Sequence, residues 1–352
     1  MRFEEDNSDA DRLLEVTTNS PVAPVWSHWI GRTILGLTAI MCLYLGATVW
    51  ASRGDLIRAI GRLPLGFLPG VIGLVLLGLL LRAVRWHYYV RRLRWEVPWC
   101  QSIVAFLASF AFTATPGKAG EVVKSVLLRT RYNVPLADGV GVLLVERLGD
   151  LLAVLLLAAS GLTLLADGLV YLLIAAMLVV ATTVVVGNRR IYGPIISQVA
   201  RIPKLSGVAD KTICLLNAGR ALLHPAPFLV GMGLAMIAWS CEGLAFHLLI
   251  GGFGSKPQIL TSCSIYGAAT LAGALSALPG GIGGFEVVMV LLLSRLGMLV
   301  AEAMMPVVVF RLCTLWLGSL IGLVFMLGWL FWMGQGRTDS VTLNNVLSGD
   351  AK

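Results

Sequence analysis

The chain has 352 residues, of which 57% are hydrophobic and only 13% are charged, with a formal net charge of +8. Soluble domains carry about 25% charged residues, so the composition excludes a soluble globular protein and indicates a polytopic membrane protein. The basic excess lies in the membrane body and its loops, because residues 1–27 are acidic. This distribution indicates how the chain is oriented in the membrane and that it contacts anionic lipid headgroups. It argues against nucleic acid as a partner.

The first predicted element is an acidic tail, residues 1–29, which we expect to be disordered and cytoplasmic. It lacks the basic start and short apolar core of a secretory signal, so the first apolar run should remain as an anchor. A transmembrane domain is predicted over 30–334. A short C-terminal tail, 335–352, follows it and is also expected in the cytoplasm.

Six apolar runs are long enough to cross a bilayer, for which a helix needs roughly 20 residues. These runs are 30–50, 65–81, 139–165, 168–186, 227–250 and 303–331. Two further apolar segments, 98–115 and 258–278, run directly into motifs that contain Pro and Gly.

Lys and Arg in short loops predict the orientation, since such loops are retained in the cytoplasm. Basic clusters lie at 82–94, 118–131 and 187–226. We expect all three on the cytoplasmic side, although three arginines in the loop 51–64 count against this. If both flanks of 98–115 are cytoplasmic, that segment must enter the membrane and return. The alternative is an ordinary span followed by a surface loop.

The two Pro-Gly motifs resemble each other. PGKAGE at 116–121 and PGGIGGFE at 279–286 are each followed by a long span with one intramembrane arginine. The glutamate that ends each motif precedes this arginine by 26 residues in the first copy and by 25 in the second. Three full spans separate the motifs. Because this number is odd, the second copy should have the opposite orientation across the membrane. We therefore predict an inverted repeat, 98–165 and 258–331, with two re-entrant hairpins.

Pro and Gly break a helix and free backbone N–H and C=O groups to face a substrate path. The candidates of this kind are Pro116, Gly117, Gly120, Pro279, Gly280, Gly281 and Gly283. The alternative is that these residues only form tight turns between helices.

Three basic residues are candidates for binding an anionic headgroup. Arg147 and Arg311 lie inside predicted spans, where a charge costs a few kcal/mol and needs a polar partner. A planar guanidinium suits the oxygens of a phosphate. Lys118 is predicted at the cytoplasmic mouth of the same path.

Acidic residues form a predicted polar network that couples transport to proton movement. Its members are Glu121, Glu146, Asp150, Glu242 and Glu286. Two alternatives remain open. Glu146 and Asp150 can form a structural cluster with Arg147 that pins helices together. Glu121 and Glu286 can instead cap the N-termini of new helices.

No catalytic residue, cofactor or metal site is predicted, because the six cysteines and four histidines show no ligand spacing. The sequence contains no P-loop, so we do not expect the chain itself to hydrolyse ATP.

Four segments together resemble one family: PGKAGEVVKSVLL, LLVERLGDLL, LPGGIGGFEVVMVLLL and VVVFRLCTLWLGSLIG. They are similar to the lysylphosphatidylglycerol synthase transmembrane (flippase-like) family, over most of residues 30–331. The resemblance implies an integral inner-membrane protein that moves a lipid across the bilayer. The soluble aminoacyltransferase domain of well-known members is not expected here, so lysyl-lipid synthesis is not carried over. Lys118 and Lys124 stand where the family often has Arg, which weakens a bidentate phosphate contact.

The sequence therefore predicts an all-α polytopic membrane protein with six full transmembrane helices and two re-entrant hairpins. The predicted function is a lipid flippase or transporter in the inner membrane, for an anionic phospholipid or a polyprenyl-phosphate-linked lipid. Its partners are the membrane lipid and, in an accessory role, a lipid-synthesis enzyme. Two alternatives are a scaffold for such an enzyme, and a membrane-embedded lipid transferase with Glu121, Glu146 or Asp150 as base.

Overall fold

The computed structural model describes residues 65–113, 120–161 and 219–332, together with isolated positions elsewhere. The chain divides into two compact units, Met1–Val49 and Trp50–Lys352, and all the helices below belong to the second. Several predicted features lie wholly or mostly outside the described residues: the tails 1–29 and 335–352, the spans 30–50 and 168–186, and the loop 187–226.

Within the described residues every regular element is a helix, which confirms the all-α fold of a polytopic membrane protein. In chain order the helices are α1 (Leu68–Arg92), α2 (Trp99–Ser109), α3 (Val123–Tyr132), α4 (Leu136–Ser160), α5 (Pro225–Gly252), α6 (Ile259–Leu275), α7 (Gly284–Arg295) and α8 (Val300–Trp332). A π-helical segment, Leu312–Trp316, lies within α8.

Three of these helices, α1, α5 and α8, are long and apolar enough to cross a membrane. Helix α4 has 25 residues, or about 37 Å at 1.5 Å per residue, which exceeds the ~30 Å hydrocarbon core. It differs from the others by carrying Glu146, Arg147 and Asp150 near its middle. These four helices correspond to four of the six predicted spans.

Local sequence explains several helix ends. Pro69 lies in the first turn of α1, where its missing N–H costs nothing, and basic residues in the last turn face the negative end of the helix dipole. Helix α3 ends at Asn133, which adopts a left-handed conformation with φ of 52°. Helix α5 begins at Pro225, the position at which proline is favoured.

The prediction that α1 ends near residue 81 is wrong, because the helix continues to Arg92. The sequence reading placed Arg82 and Arg85 in a cytoplasmic loop. Both are helical, and Arg85 is fully buried. A helix can carry these charges inward because carboxylates from other helices meet them, as described below.

Both Pro-Gly motifs join two short helices. Helices α2 and α3 flank the first motif, and α6 and α7 flank the second and pack against each other. The apolar helix Trp99–Phe112 spans about 21 Å and α6 about 26 Å at 1.5 Å per residue, so neither alone crosses a ~30 Å core. The re-entrant hairpins stay a prediction, with which these lengths are consistent. The inverted orientation of the second hairpin stays a prediction, because only isolated positions of the span 168–186 are described.

The second break depends on glycine. Gly280, Gly281 and Gly283 have φ angles of 63°, 67° and 92°, which side-chain-bearing residues rarely adopt. At Gly281 an added Cβ would also lie 3.0 Å from the carbonyl oxygen of Gly273 on α6. The chain can therefore turn tightly against α6 only if this position has no side chain.

Two apolar clusters surround a polar centre. One joins α5, α6, α7 and α8, where the rings of Phe246 and Tyr266 pack on Phe310 at centroid distances of 5.4 and 5.6 Å. The other contains Trp86 of α1 and Trp329 of α8, both fully buried. Ion pairs between charged side chains join α1 to α4 and α5, and α7 to α8.

Candidate functional site

A cavity of about 350 Å³ lies at the centre of the helices, beside the second break. Its wall includes three guanidinium groups, from Arg82 on α1, Arg147 on α4 and Arg311 on α8. Two carboxylates, Asp150 on α4 and Glu242 on α5, also line it. Charges that are far apart in the sequence are thus collected around one cavity.

Arg147 is held by acids on both sides. Its Nη2 donates to Glu121 Oε2 at 2.8 Å and lies 3.0 Å from Asp150 Oδ2. The Arg147 side chain is 33% exposed, the most exposed cation among these ion pairs. It therefore presents part of its guanidinium to the cavity while its position is fixed by the two carboxylates.

Arg311 binds residues of the second helix break, the Pro-Gly motif at 279–286. Its Nε donates to Glu286 Oε1 at 2.6 Å, and its Nη2 donates to the carbonyl oxygen of Gly280 at 3.0 Å. The guanidinium carbon lies 4.2 Å from the centre of the Phe285 ring. Glu286 Oε2 accepts the N–H of Gly283 at 2.7 Å, so this glutamate both caps α7 and binds Arg311.

The matched spacing of glutamate and arginine in the two motifs thus has a structural meaning. In each copy the glutamate after the break forms an ion pair with the arginine 25 or 26 residues later. The pair ties the break to the long helix that follows. For Glu286, the helix-capping alternative and the ion pair hold together rather than excluding each other.

Arg82 is a site residue that the sequence reading missed. Its Nη2 lies 2.5 Å from Glu242 Oε1, and its guanidinium stacks over the Trp239 ring at 4.2 Å. The Tyr266 hydroxyl donates to the other oxygen of Glu242. Helical periodicity could have found it, since Arg82 and Arg85 are three apart and share a helix face with the preceding span.

Arg85 fixes Asp150 from the other side. Its Nη1 donates to Asp150 Oδ1 at 2.7 Å, and the indole N–H of Trp239 donates to the same oxygen at 3.1 Å. Asp150 thus joins α1, α4 and α5, which supports the structural-cluster alternative for this residue.

Glu146 lies away from the cavity wall. It accepts a hydrogen bond from Lys124 of α3, and both side chains are almost completely buried. The ammonium group of Lys124 also lies 4.4 Å from the centre of the Trp86 ring. The prediction that Lys124 belongs to a basic loop is wrong, because it lies in α3 and its charge is compensated inside the protein by Glu146. The cytoplasmic side of this cluster stays a prediction.

The remaining predicted site residues fall into three groups. Gly280 and Gly281 line the cavity, and Pro279 begins the turn that carries them. Gly120 opens the short turn before α3. The residues Pro116, Gly117 and Lys118 lie outside the described residues. Over the described part of the chain, no group of three or more His, Cys, Asp or Glu side chains could hold a metal ion.

One edge of the cavity is apolar and exposed. Leu151 on α4 is 52% exposed and Leu278 at the second break is 51% exposed, and both line the cavity. Ala274 and Ala277 lie beside Leu278 on the same wall and are also exposed. Because a closed interior leaves far less of a side chain accessible, the cavity reaches the molecular surface along this edge.

The family model for the lysylphosphatidylglycerol synthase TM region matches residues 33–322. The chain belongs to this family. The match includes both Pro-Gly motifs and the whole cavity wall, which runs from Arg82 to Leu315. The family and the fold together identify a multi-pass membrane protein.

Two relatives are UPF0104 membrane proteins of Methanothermobacter thermautotrophicus. One is 26% identical over 304 residues, which cover 80% of this chain and 89% of the relative. The other is 28% identical over 92 residues, or 26% of this chain and 27% of the relative. No solved structure gives a significant match.

Proposed function

We propose that the chain is a lipid transporter that moves an anionic phospholipid or a polyprenyl-phosphate-linked lipid across the inner membrane. The observation that carries this proposal is a cavity with two chemically different sides. Arginines from three helices form one side, and exposed apolar residues form the edge by which the cavity reaches the surface. Such a space suits an amphipathic ligand with an anionic head.

The size of the cavity supports a headgroup site rather than a site for a whole lipid. Small-molecule pockets measure about 300–1,000 Å³, and a volume of about 350 Å³ lies at the lower end of this range. A phosphate and a small polar group fit there, while acyl or prenyl chains extend past Leu151 and Leu278 into the bilayer. The energetic cost of moving the charged head through the apolar core is thereby reduced.

The helix breaks supply the remaining polar groups. Around the second break, Arg311 and the glycine-rich turn bring a cation and backbone polar groups to the cavity. Irregular backbone at membrane depth is tolerated where it lines a cavity or is buried in protein. We propose that the first break, with Lys118, performs the equivalent role on the cytoplasmic side.

We propose transport rather than catalysis, driven by the lipid gradient, by protons or by a partner. Both chain termini are proposed to be cytoplasmic, from the distribution of Lys and Arg. Glu121 and Glu286 are the candidates for proton coupling, because each holds an arginine of the wall and could release it on protonation.

The test is a translocation assay in proteoliposomes with fluorescent phosphatidylglycerol and a short-chain polyprenyl phosphate. Wild type should accelerate translocation of one of these lipids. Arg147→Gln and Arg311→Gln should each slow it about tenfold or more, since a charged hydrogen bond contributes about 1.5–3 kcal/mol. Arg295→Gln, which changes an exposed arginine away from the cavity, is the matched control and should leave the rate unchanged.

Failure of the folded, monodisperse wild type to move either lipid would refute transport. That result would favour the accessory role, and capture of a lipid-synthesis enzyme would then become the decisive experiment. Turnover of the lipid headgroup by the purified chain would instead favour the transferase alternative.

A further inference from the structure

The carboxylates of the cavity wall are already engaged. Asp150 Oδ1 accepts from Arg85 and from Trp239, and Asp150 Oδ2 lies 3.0 Å from Arg147 Nη2. Glu242 is engaged in the same way, since Oε1 lies 2.5 Å from Arg82 Nη2 and Oε2 accepts from a tyrosine hydroxyl. One oxygen of each carboxylate therefore accepts a hydrogen bond, and the other is paired with a guanidinium by charge.

Some guanidinium N–H groups of the wall, in contrast, have no acceptor within the described part of the chain. The Nε of Arg82 and the Nε of Arg147 are buried and have no hydrogen-bond acceptor within the described part of the chain. The Nη2 of Arg82 lies close to Glu242, but it is not aligned for a hydrogen bond. A buried donor without an acceptor costs about 1–3 kcal/mol, so these groups favour a ligand that brings acceptor oxygens.

Arg82 is also held in place before any ligand binds. Its guanidinium stacks on the Trp239 ring at 4.2 Å, and Trp239 is itself anchored to Asp150. A planar cation held by an aromatic ring loses little freedom when an anion binds. The site is therefore arranged in advance for a phosphate.

Neutral oxygens complete the wall. The hydroxyl groups of Thr113, Thr270 and Thr314 each donate to a carbonyl oxygen three or four residues earlier in the chain at 2.8 Å. Their oxygens remain able to accept a hydrogen bond from a headgroup hydroxyl. An ammonium group could reach the same oxygens, but it would lack the charged partner that a buried cation requires.

We propose that the cavity is selective for an acceptor-rich headgroup: Arg82 and Arg147 bind the phosphate, and a lipid that adds a cation to its headgroup is rejected. This inference rests on the proposed function and deepens it, because it names the charge class of the substrate. It also excludes from this cavity the lysylated lipid after which the family is named.

The experiment is native mass spectrometry of the full chain in detergent, titrated with dioctanoyl phosphatidylglycerol and with its lysyl ester. Wild type should bind the anionic lipid at least about tenfold more tightly than the lysyl lipid. Arg82→Gln should weaken binding of the anionic lipid about tenfold or more, because one charged hydrogen bond is lost. Arg91→Gln is the matched control, an exposed arginine on the same helix.

Glu242→Gln decides between a binding role and a purely structural role for Arg82. If Arg82 binds phosphate, removal of the neighbouring negative charge should tighten binding of the anionic lipid. If Arg82 only neutralises Glu242, the tightening should persist when Arg82→Gln is combined with Glu242→Gln, whereas it should be lost if Arg82 binds the phosphate. The double variant leaves neither charge of this pair buried without its partner, so the comparison keeps its force even if Arg82→Gln alone does not fold.

Equal or tighter binding of the lysyl lipid would overturn the inference, and so would unchanged binding in Arg82→Gln. The outcome is distinguishable from failure of the proposed function. Selective binding without translocation would refute transport and leave the site intact. Translocation by a chain whose lipid binding does not depend on Arg82 would refute this site alone.

Discussion

Glu286→Gln should destabilise the protein more than Glu121→Gln, although the two glutamates occupy matching positions in the repeat. Glu286 accepts from Arg311 Nε at 2.6 Å, and the Arg311 side chain is only 8% exposed. Within the described part of the chain no other carboxylate pairs with Arg311. Glutamine keeps the shape of the side chain and can still accept the N–H of Gly283, so the substitution removes the charge and little else.

The size of the difference follows from the burial of each arginine and from the carboxylate that remains beside it. Removing one partner of a buried ion pair costs about 3–5 kcal/mol. Glu286 is 18% exposed, which places its loss at the lower end, about 3 kcal/mol. Arg147 is 33% exposed and keeps Asp150 at 3.0 Å, so we expect Glu121→Gln to cost only about 1 kcal/mol.

The assay is thermal unfolding of the purified chain in one detergent, followed by tryptophan fluorescence. The Tm of Glu286→Gln should fall by several degrees more than that of Glu121→Gln. Adding Arg311→Gln to Glu286→Gln should recover part of the loss, because no charge is then left uncompensated. Glu302→Gln, an exposed acid in the first turn of α8, is the control for helix-end effects. Equal losses for the two motif glutamates, or a larger loss for Glu121→Gln, would refute the reasoning.

Two further predictions test packing and orientation. Gly322→Ala should lower the Tm strongly in thermal unfolding, because its Cβ would lie 2.1 Å from the backbone nitrogen of Ala111. The control is Gly328→Ala on the same helix. Its Cβ would meet nothing within 4 Å, so the Tm should stay the same or rise. In a background without native cysteines, Lys118→Cys and Lys204→Cys should both be labelled by an impermeant thiol reagent from the cytoplasmic side only, and labelling from opposite sides would overturn the orientation.

The helices and their breaks could be predicted because their signals are local. An apolar run predicts a span, and a cluster of Pro and Gly predicts its interruption. The motif at 279–286 is broken as predicted, with glycines in the left-handed conformation. The ion pair of Glu286 with Arg311 also has a sequence signal, because its spacing repeats that of Glu121 and Arg147.

The partners on α1 and α3 could not be predicted in this way. Arg85 pairs with Asp150 across 65 residues, and Lys124 pairs with Glu146 across 22 residues with no repeat to signal it. A charged residue at the end of an apolar run resembles the start of a cytoplasmic loop, which is why Arg82 was assigned there. The packing of α1 against α5 brings that residue close to Glu242, whose negative charge offsets the cost of burying the guanidinium.

The ion pairs also set a condition on the proposed transport. Within the described part of the chain they join five cations to five carboxylates, so the polar centre is neutral as a whole. The cations are Arg82, Arg85, Lys124, Arg147 and Arg311, and the carboxylates are Glu121, Glu146, Asp150, Glu242 and Glu286. A bound phosphate adds a negative charge where water is scarce, and such a charge is costly unless it is compensated. A carboxylate must then take up a proton, because the cavity is proposed to reject a headgroup that carries its own cation. Glu121 and Glu286 are best placed to take up this proton, since each is paired with an arginine of the wall that could pair with the incoming phosphate instead.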